Sequence, residues 1–149
     1  LRDRDRMCLG VGRRSILEKR YEYPSGMIKP VYGVYELPEY IRYLWIVEGP
    51  FNLWSLSGWN KTGVALLGTG TKHQYIELLD IDCTGYVLAL DPDEAGIKGT
   101  KKLIEFLKEN RRYDINVALL PKGKDINDLT HEEFSQMQVV PYYMWQKNN

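Results

Sequence analysis

The sequence predicts an α/β fold, with an open, mainly parallel sheet flanked by helices. Four short runs are almost continuously apolar: 44–47, 63–67, 86–90 and 115–120. Three segments of helical length separate these runs: 51–59, 72–80 and 95–110. Continuous apolarity is typical of parallel strands that are buried on both faces. The regular alternation of strands and helices favours right-handed crossovers between neighbouring parallel strands.

The last of the three helical segments has the clearest pattern. One face of a helix over 95–110 carries Thr100, Leu103, Ile104 and Leu107. The charged residues fall largely elsewhere on this helix: Lys101, Lys102, Glu105 and Lys108. This separation predicts an amphipathic helix that packs on the sheet.

The first 43 residues differ from the rest of the chain. Their prolines, glycines and tyrosines predict short strands and turns, so we interpret residues 1–43 as a small basic N-terminal α+β subdomain. They hold nine basic and six acidic residues, whereas the remainder has a net charge of −3. A basic surface beside an acidic one suits polyanion guidance, although so small an imbalance is equally consistent with chance. We assign residues 44–140 to the α/β domain and 141–149 to a tail.

Composition narrows the function classes. The chain of 149 residues has 20 Lys and Arg and 20 Asp and Glu, so its net charge does not indicate a nucleic-acid partner. Cys8 and Cys83 lie far apart without a CxxC pair or clustered histidines, which argues against a structural zinc site. We expect a reducing cytoplasmic location, although the two cysteines could form one disulfide. No signal peptide is visible in this sequence, and no apolar run approaches the length that a membrane span needs. It begins at Leu1, with Met7 as the first methionine, so we expect a piece of a longer protein.

Acidic residues follow three of the four predicted strands. Glu48 comes directly after the first strand, Asp91 and Asp93 follow the third, and Asp125 follows the fourth. A glycine-rich segment, 67–71, follows the second strand. Because ligands bind outside the carboxyl ends of the strands in an open parallel sheet, we expect these acids to lie at one edge.

Carboxylates gathered at one edge favour a metal site. Such groups repel one another, and their pKa values rise unless a cation neutralises them. Hard oxygen ligands select Mg²⁺ or Mn²⁺ rather than zinc. Each motif also has a simpler interpretation, since Glu-Gly after a strand is usually a turn and Asp-x-Asp is common on surfaces. The order and strand-end placement of all three motifs are what favour the metal site.

These motifs resemble the Toprim domain shared by DnaG-type primases, type IA and type II topoisomerases and some nucleases. The Toprim pattern is a strand-end Glu-Gly, a strand-end Asp-x-Asp and a later acidic motif. The matching segments here are Glu48-Gly49, Asp91-Pro92-Asp93 and Lys124-Asp125-Ile126-Asn127-Asp128. The segments 20–24, 31–35 and 67–71 are also similar to parts of primases. The resemblance covers roughly residues 13–135 and is nearest to bacterial and phage-like primases.

The resemblance implies the catalytic core of a DNA primase, which makes RNA primers from ribonucleotides on a single-stranded DNA template. It implies that the catalytic residues are Glu48, Asp91 and Asp93, and that these and Asp125 hold Mg²⁺ or Mn²⁺. The residues expected to contact template or nucleotide are Arg20, Lys29, Lys122 and Lys124. A replicative helicase is an expected partner through domains outside this chain, and the fragment alone is expected to start primers inefficiently.

Two departures from the primase pattern keep other functions open. Asn52 and Asn127 stand where many primases have Asp, and an amide offers a carbonyl oxygen without a charge. One alternative is a Toprim nuclease, in which the ions activate water instead of a primer hydroxyl. Another is a non-catalytic nucleic-acid-binding module with the same fold.

Overall fold

The structure is a computed structural model that describes residues 1–15, 17 and 21–147. Near the N terminus, β1 (Arg13–Arg14) and β2 (Tyr21–Glu22) pair antiparallel. The main sheet has five strands: β3 (Ile41–Val47), β4 (Gly63–Ala65), β5 (Cys83–Ala89), β6 (Ile115–Ala118) and β7 (Val139–Pro141). Their order is β4-β3-β5-β6-β7, in which all neighbours are parallel except β6 and β7. The predicted open, mainly parallel sheet is confirmed.

Helices cover both faces of this sheet. They are α1 (Pro50–Gly58), α2 (Lys72–Leu79), α3 (Glu94–Glu109), α4 (His131–Gln136) and α5 (Tyr142–Gln146). Side chains of α2, α3 and α5 belong to the core on one face, and side chains of α1 and α4 belong to the core on the other. The three helices expected from the sequence are present within one or two residues. The sequence did not indicate β7, α4 or α5.

Strand β3 shows why the sequence lacks polar alternation. Leu44 and Ile46 pack into the core beside α2 and α3, whereas Trp45 and Val47 pack into the core beside α1. Both sets are buried because the strand lies centrally in the sheet between two helical layers. Burial of both sets removes from water the apolar surface that stabilises the fold.

The N-terminal segment runs along the β4 edge of the sheet. Tyr32 and Ala65 exchange backbone hydrogen bonds of 2.8 and 3.0 Å, and Val31 is fully buried in the core. A short 3₁₀ helix, Val34–Glu36, follows before β3 begins at Ile41. Strand β3 thus starts slightly earlier than the sequence pattern indicated. The division of the chain into a subdomain of residues 1–43 and an α/β domain remains a prediction.

Both cysteines are free thiols, with Cys8 exposed and Cys83 buried, so the disulfide left open by the sequence is absent from the described part of the chain. Within the same residues, no helix is long and apolar enough to cross a membrane.

Candidate functional site

The carboxyl ends of β3 and β5 are neighbours, as the sequence predicts. Val47 pairs with Ala89 in parallel register, which brings the residues that follow the two strands together. The backbone N–H of Asp91 donates to Oε1 of Glu48 at 3.2 Å. The strand-end glutamate therefore contacts the start of the Asp-x-Asp motif.

The second acid of that motif begins a helix. Oδ1 of Asp93 accepts a hydrogen bond of 2.7 Å from the N–H of Gly96, which makes Asp93 the N-cap of α3. A Cβ atom on Gly96 would lie 2.0 Å from the backbone oxygen of Asp91 and 2.9 Å from Oε1 of Glu48. Glycine is therefore required for the close approach of α3 to both acidic motifs. Asp93 has this capping role in addition to any chemical one.

The third acidic motif is held by its own turn and by α1. Asp125 caps the 3₁₀ helix Ile126–Asp128, since its Oδ1 accepts from the N–H of Asp128 at 3.0 Å. The backbone N–H of Asn127 donates to Oδ1 of Asn52 at 3.2 Å. Nδ2 of Asn52 donates to Oδ1 of Asp91 at 3.3 Å. One buried amide thus connects the second and third acidic motifs.

The glycine-rich loop after β4 closes another side of this region. Gln74 is fully buried, and its amide donates to the backbone oxygens of Pro30 and Leu66 at 3.0 and 2.7 Å. Nζ of Lys29 donates to the backbone oxygen of Leu67 at 2.9 Å and lies 4.8 Å from the centre of the Tyr23 ring. These contacts hold the ammonium group of Lys29 beside the glycine-rich loop.

A cleft of about 300 Å³ joins these groups. The predicted site residues that line it are Glu48, Asp91, Asp125 and Lys29. Both asparagines that depart from the primase pattern, Asn52 and Asn127, line it as well. Three predicted ligands thus face one cavity, whereas Asp93 is exposed beside it at the start of α3.

Lys122 and Lys124 do not line this cleft. Nζ of Lys124 pairs with Oε1 of Glu133, and both side chains are about 40% exposed. Lys122 lines a neighbouring hollow of about 250 Å³ together with Asp91 and Pro92. Arg20 lies outside the described residues.

Burial and like charges act together on the strand-end glutamate. The pKa of Glu48 is raised from 4.5 to about 7, mainly by burial and next by the charge of Asp91. The hydrogen bond from the Asp91 backbone lowers the pKa, while Asp93 and Asp125 add smaller repulsions. Such a rise is expected for a carboxylate that is partly buried beside other carboxylates.

The donor set suits a hard cation. Within residues 1–15, 17 and 21–147, no group of three or more His, Cys, Asp and Glu side chains could by itself hold a metal ion. Mg²⁺ is commonly bound by one or two carboxylates together with water and substrate phosphates, rather than by a complete protein cage. Carboxylate oxygens, the repulsion at Glu48 and an open cleft are consistent with that mode of binding.

Arg14 is a cleft residue that the sequence did not single out. Its guanidinium lies 4.3 Å from the ring centre of Phe51 and 5.5 Å from that of Tyr21. Its Nε is buried and has no hydrogen-bond partner among the described residues. The basic composition of residues 1–43 is the only signal that could have indicated it, because its contact with Phe51 is tertiary.

Curated relatives of this chain are DNA primases. The DNA primase of Enterococcus faecalis is 32% identical over 65 residues, which are 44% of this chain and 10% of that protein. The DNA primase of Buchnera aphidicola is 26% identical over 148 residues, which are 89% of this chain and 25% of that protein. The chain thus spans a quarter or less of the length of these relatives.

Solved structures with a similar fold include primases. A DNA primase domain from Pseudomonas aeruginosa is 20% identical with a TM-score of 0.75, and the match covers 99% of this chain and 53% of that one. A DnaG primase catalytic domain bound to single-stranded DNA is 23% identical with a TM-score of 0.72, with the same coverage. The primase fragment of the bacteriophage T7 primase-helicase protein is 21% identical with a TM-score of 0.68, covering 91% and 56%.

The family assignment covers more than half of the chain. Residues 45–130 match the family described as Toprim-like. This span contains all three acidic motifs and the strands β4, β5 and β6. The resemblance inferred from the motifs is thereby confirmed, and this chain belongs to the Toprim-like family.

Proposed function

We propose that this chain is part of the catalytic core of a DNA primase, which joins ribonucleotides into primers on single-stranded DNA by metal-dependent nucleotidyl transfer. The observation that carries the proposal is the parallel pairing of β3 with β5, which brings Glu48 against Asp91 at one end of an open cleft. The primase relatives and the primase structures of the same fold support this activity over other Toprim functions.

Glu48 has the properties of a general base. In the protein without a bound cation its pKa is raised to about 7, so its carboxylate can accept a proton near neutral pH, where catalytic bases are most efficient. In the proposed reaction, Glu48 takes the proton of the primer 3′-hydroxyl while the hydroxyl oxygen bonds to the α-phosphorus of the incoming nucleotide. The bond from that phosphorus to the bridging oxygen breaks, and pyrophosphate leaves.

The carboxylates would share the cations. Glu48, Asp91, Asp93 and Asp125 would hold Mg²⁺ or Mn²⁺, with nucleotide phosphates completing the coordination. When bound, these ions activate the hydroxyl and stabilise the charge that develops on the leaving pyrophosphate. Asp93 and Asp125 are fixed by their capping hydrogen bonds, so their remaining lone pairs have a defined position.

The basic residues would contact phosphates of the template or the nucleotide. Lys29 is best situated, because it lines the cleft and is oriented by the backbone oxygen of Leu67. Lys124 would have to leave Glu133, which costs little because both side chains are exposed to water that screens the pair. Lys122 beside Asp91, and Arg20, are further candidates for such contacts.

We also propose that the parent protein works with a replicative helicase through regions outside this chain. The similarity to the T7 primase-helicase fragment supports that partnership in general terms. The free thiols of Cys8 and Cys83 support the proposed cytoplasmic location, where disulfides are rare.

Extension of a short RNA primer annealed to a DNA template tests the proposed activity. This assay bypasses start-site recognition, which the isolated chain is expected to perform poorly. We expect extension by the 149-residue chain with Mg²⁺ or Mn²⁺, and a loss of about 10²–10⁴-fold in Glu48→Gln. Asp114→Asn is the matched control, because Asp114 is an exposed acid that precedes β6 at the opposite end of the sheet.

The same reactions separate the alternatives. Cleavage of the template without extension would identify a nuclease. Binding of template with neither reaction, with either cation, would identify a non-catalytic module. Equal losses in Glu48→Gln and Asp114→Asn would refute the assignment of Glu48.

A further inference from the structure

Asn52 is a buried polar residue at the junction of the acidic motifs. It lies in the first turn of α1, and its side chain is only 4% exposed. Its two polar atoms are both used: Oδ1 accepts from the backbone of Asn127, and Nδ2 donates to the carboxylate of Asp91. A single side chain therefore spans from the strand-end carboxylate after β5 to the loop after β6.

The direction of this bridge is fixed by chemistry. The backbone N–H of Asn127 can only donate, so it must meet the oxygen of the Asn52 amide. The NH₂ group of that amide then points at Asp91, whose Oδ1 accepts the hydrogen bond. Each end of the amide meets its proper partner, and the reversed orientation would leave both interactions repulsive.

An acid at the same position could not make this bridge unaided. It could still accept from the N–H of Asn127, but it would turn a second carboxylate oxygen toward Asp91. Two facing carboxylates in a partly buried cleft that also contains Glu48 would repel one another unless a cation lay between them.

The loop after β6 has a second contact with the same helix. Oγ of Ser55, one turn beyond Asn52 on α1, donates to Oδ1 of Asn127 at 3.2 Å. Asn127 is thus held through its backbone by Asn52 and through its side chain by Ser55. The two asparagines that depart from the primase pattern form one connected network.

We propose that Asn52 is a positioning residue that fixes Asp91 and the loop containing Asp125 relative to each other when no cation is bound. This inference rests on the proposed function for its catalytic meaning, because it describes the cleft in which that reaction would occur. The expected consequence is a site that is already assembled before the metal and nucleotide arrive, with one negative charge fewer than an acid at residue 52 would give.

Thermal melting of the 149-residue chain with EDTA and across a Mn²⁺ series provides the first test. We expect Asn52→Asp to melt about 2–8 °C below wild type in EDTA and to recover most of that loss with Mn²⁺. Asn52→Leu should lose stability to the same extent in both conditions. Asn116→Asp is the matched control, because the Asn116 amide donates to Asp114 at 3.0 Å outside the cleft, in an exposed place where water screens the repulsion between two carboxylates. Its melting temperature should change little and without dependence on Mn²⁺.

Amide hydrogen exchange at Asn127 provides the second test. Asn52→Asp keeps the acceptor, so the N–H of Asn127 should stay protected, whereas Asn52→Leu removes the acceptor and should speed exchange by roughly tenfold. Wild-type melting of Asn52→Asp in EDTA would overturn the proposal. So would a loss in that variant that Mn²⁺ does not reduce, or unchanged exchange in Asn52→Leu. Neither test measures primer synthesis, so failure of the proposed function alone would leave these shifts in place.

Discussion

Gly96 offers a direct test of how closely α3 must approach the acidic motifs. In Gly96→Ala, the new Cβ would lie 2.0 Å from the backbone oxygen of Asp91, about 1.4 Å short of the 3.4 Å at which ordinary contact begins. The same atom would lie 2.9 Å from Oε1 of Glu48. The first clash involves backbone, so a side-chain rotation cannot relieve it, and α3 has to move away from the end of β5.

The size of the effect follows from two opposing contributions. Overpacking of a close contact typically costs about 1–3 kcal/mol, while replacing glycine by alanine in a helix returns at most about 1 kcal/mol. Because a contact of 2.0 Å with backbone puts the cost at the upper end of its range, about 3 kcal/mol, we expect a net loss of about 2 kcal/mol in the free energy of unfolding. For a chain of this length, that corresponds to a melting temperature lower by about 4–8 °C.

Gly58→Ala is the matched control for this experiment. Gly58 is the last residue of α1, it is exposed, and a Cβ there would meet no atom within 4 Å. We expect Gly58→Ala to be neutral or to stabilise the protein by about 0.5–1 kcal/mol. Urea unfolding followed by circular dichroism measures both variants. Wild-type stability of Gly96→Ala, or equal losses in the two variants, would refute the close-approach argument.

Three further predictions concern charge, capping and template binding. With its pKa raised to about 7, Glu48 binds a proton between pH 4.5 and 7 in the native protein but not in the unfolded chain. Without metal, the free energy of unfolding should therefore fall as pH rises through that window. Glu48→Gln should remove this loss of stability, so urea titrations at pH 8 should find it more stable than wild type by at most about 3 kcal/mol. The same pH dependence of stability in the variant and in wild type would contradict the raised pKa of Glu48. Asp93→Ala should lose about 1 kcal/mol with the α3 cap, whereas Asp93→Asn should retain it, and equal melting of the two would exclude the capping role. Lys29→Ala should weaken binding of single-stranded DNA and make the slope of log K against log salt shallower by about 0.7, whereas Lys101→Ala should change neither. Fluorescence anisotropy titrations across a salt series measure the slope. An unchanged slope in Lys29→Ala would mean that the template does not contact Lys29.

The sequence predicted the central sheet and its strand-end acids because these follow from local patterns. The β3 run from Leu44 to Val47 is apolar on both faces, and parallel strands deliver their following residues to one edge. Strand β7 was missed because it is a short edge strand that ends at Pro141, and proline is usually a sign of a break in a sheet.

The contacts that organise the cleft could not be predicted in the same way. The hydrogen bond from the N–H of Asn127 to Asn52 joins residues 75 apart in the chain, and the contact of Arg14 with Phe51 depends on how the N-terminal segment lies against α1. Sequence periodicity indicates which face of an element is buried, but it does not indicate which polar groups meet across elements.

The capping roles of the acids bear on how the site responds to loss of its cation. Asp93 lies at the N terminus of α3, a helix of 16 residues, and the positive end of the helix dipole favours a carboxylate there. Asp125 is similarly engaged with the N–H of Asp128, and Asp91 receives a hydrogen bond from Asn52. Each of these carboxylates is thus held by a donor that belongs to the protein. Repulsion among them is partly offset by these donors, so removal of the divalent cation should stop the chemistry while the cleft keeps its shape.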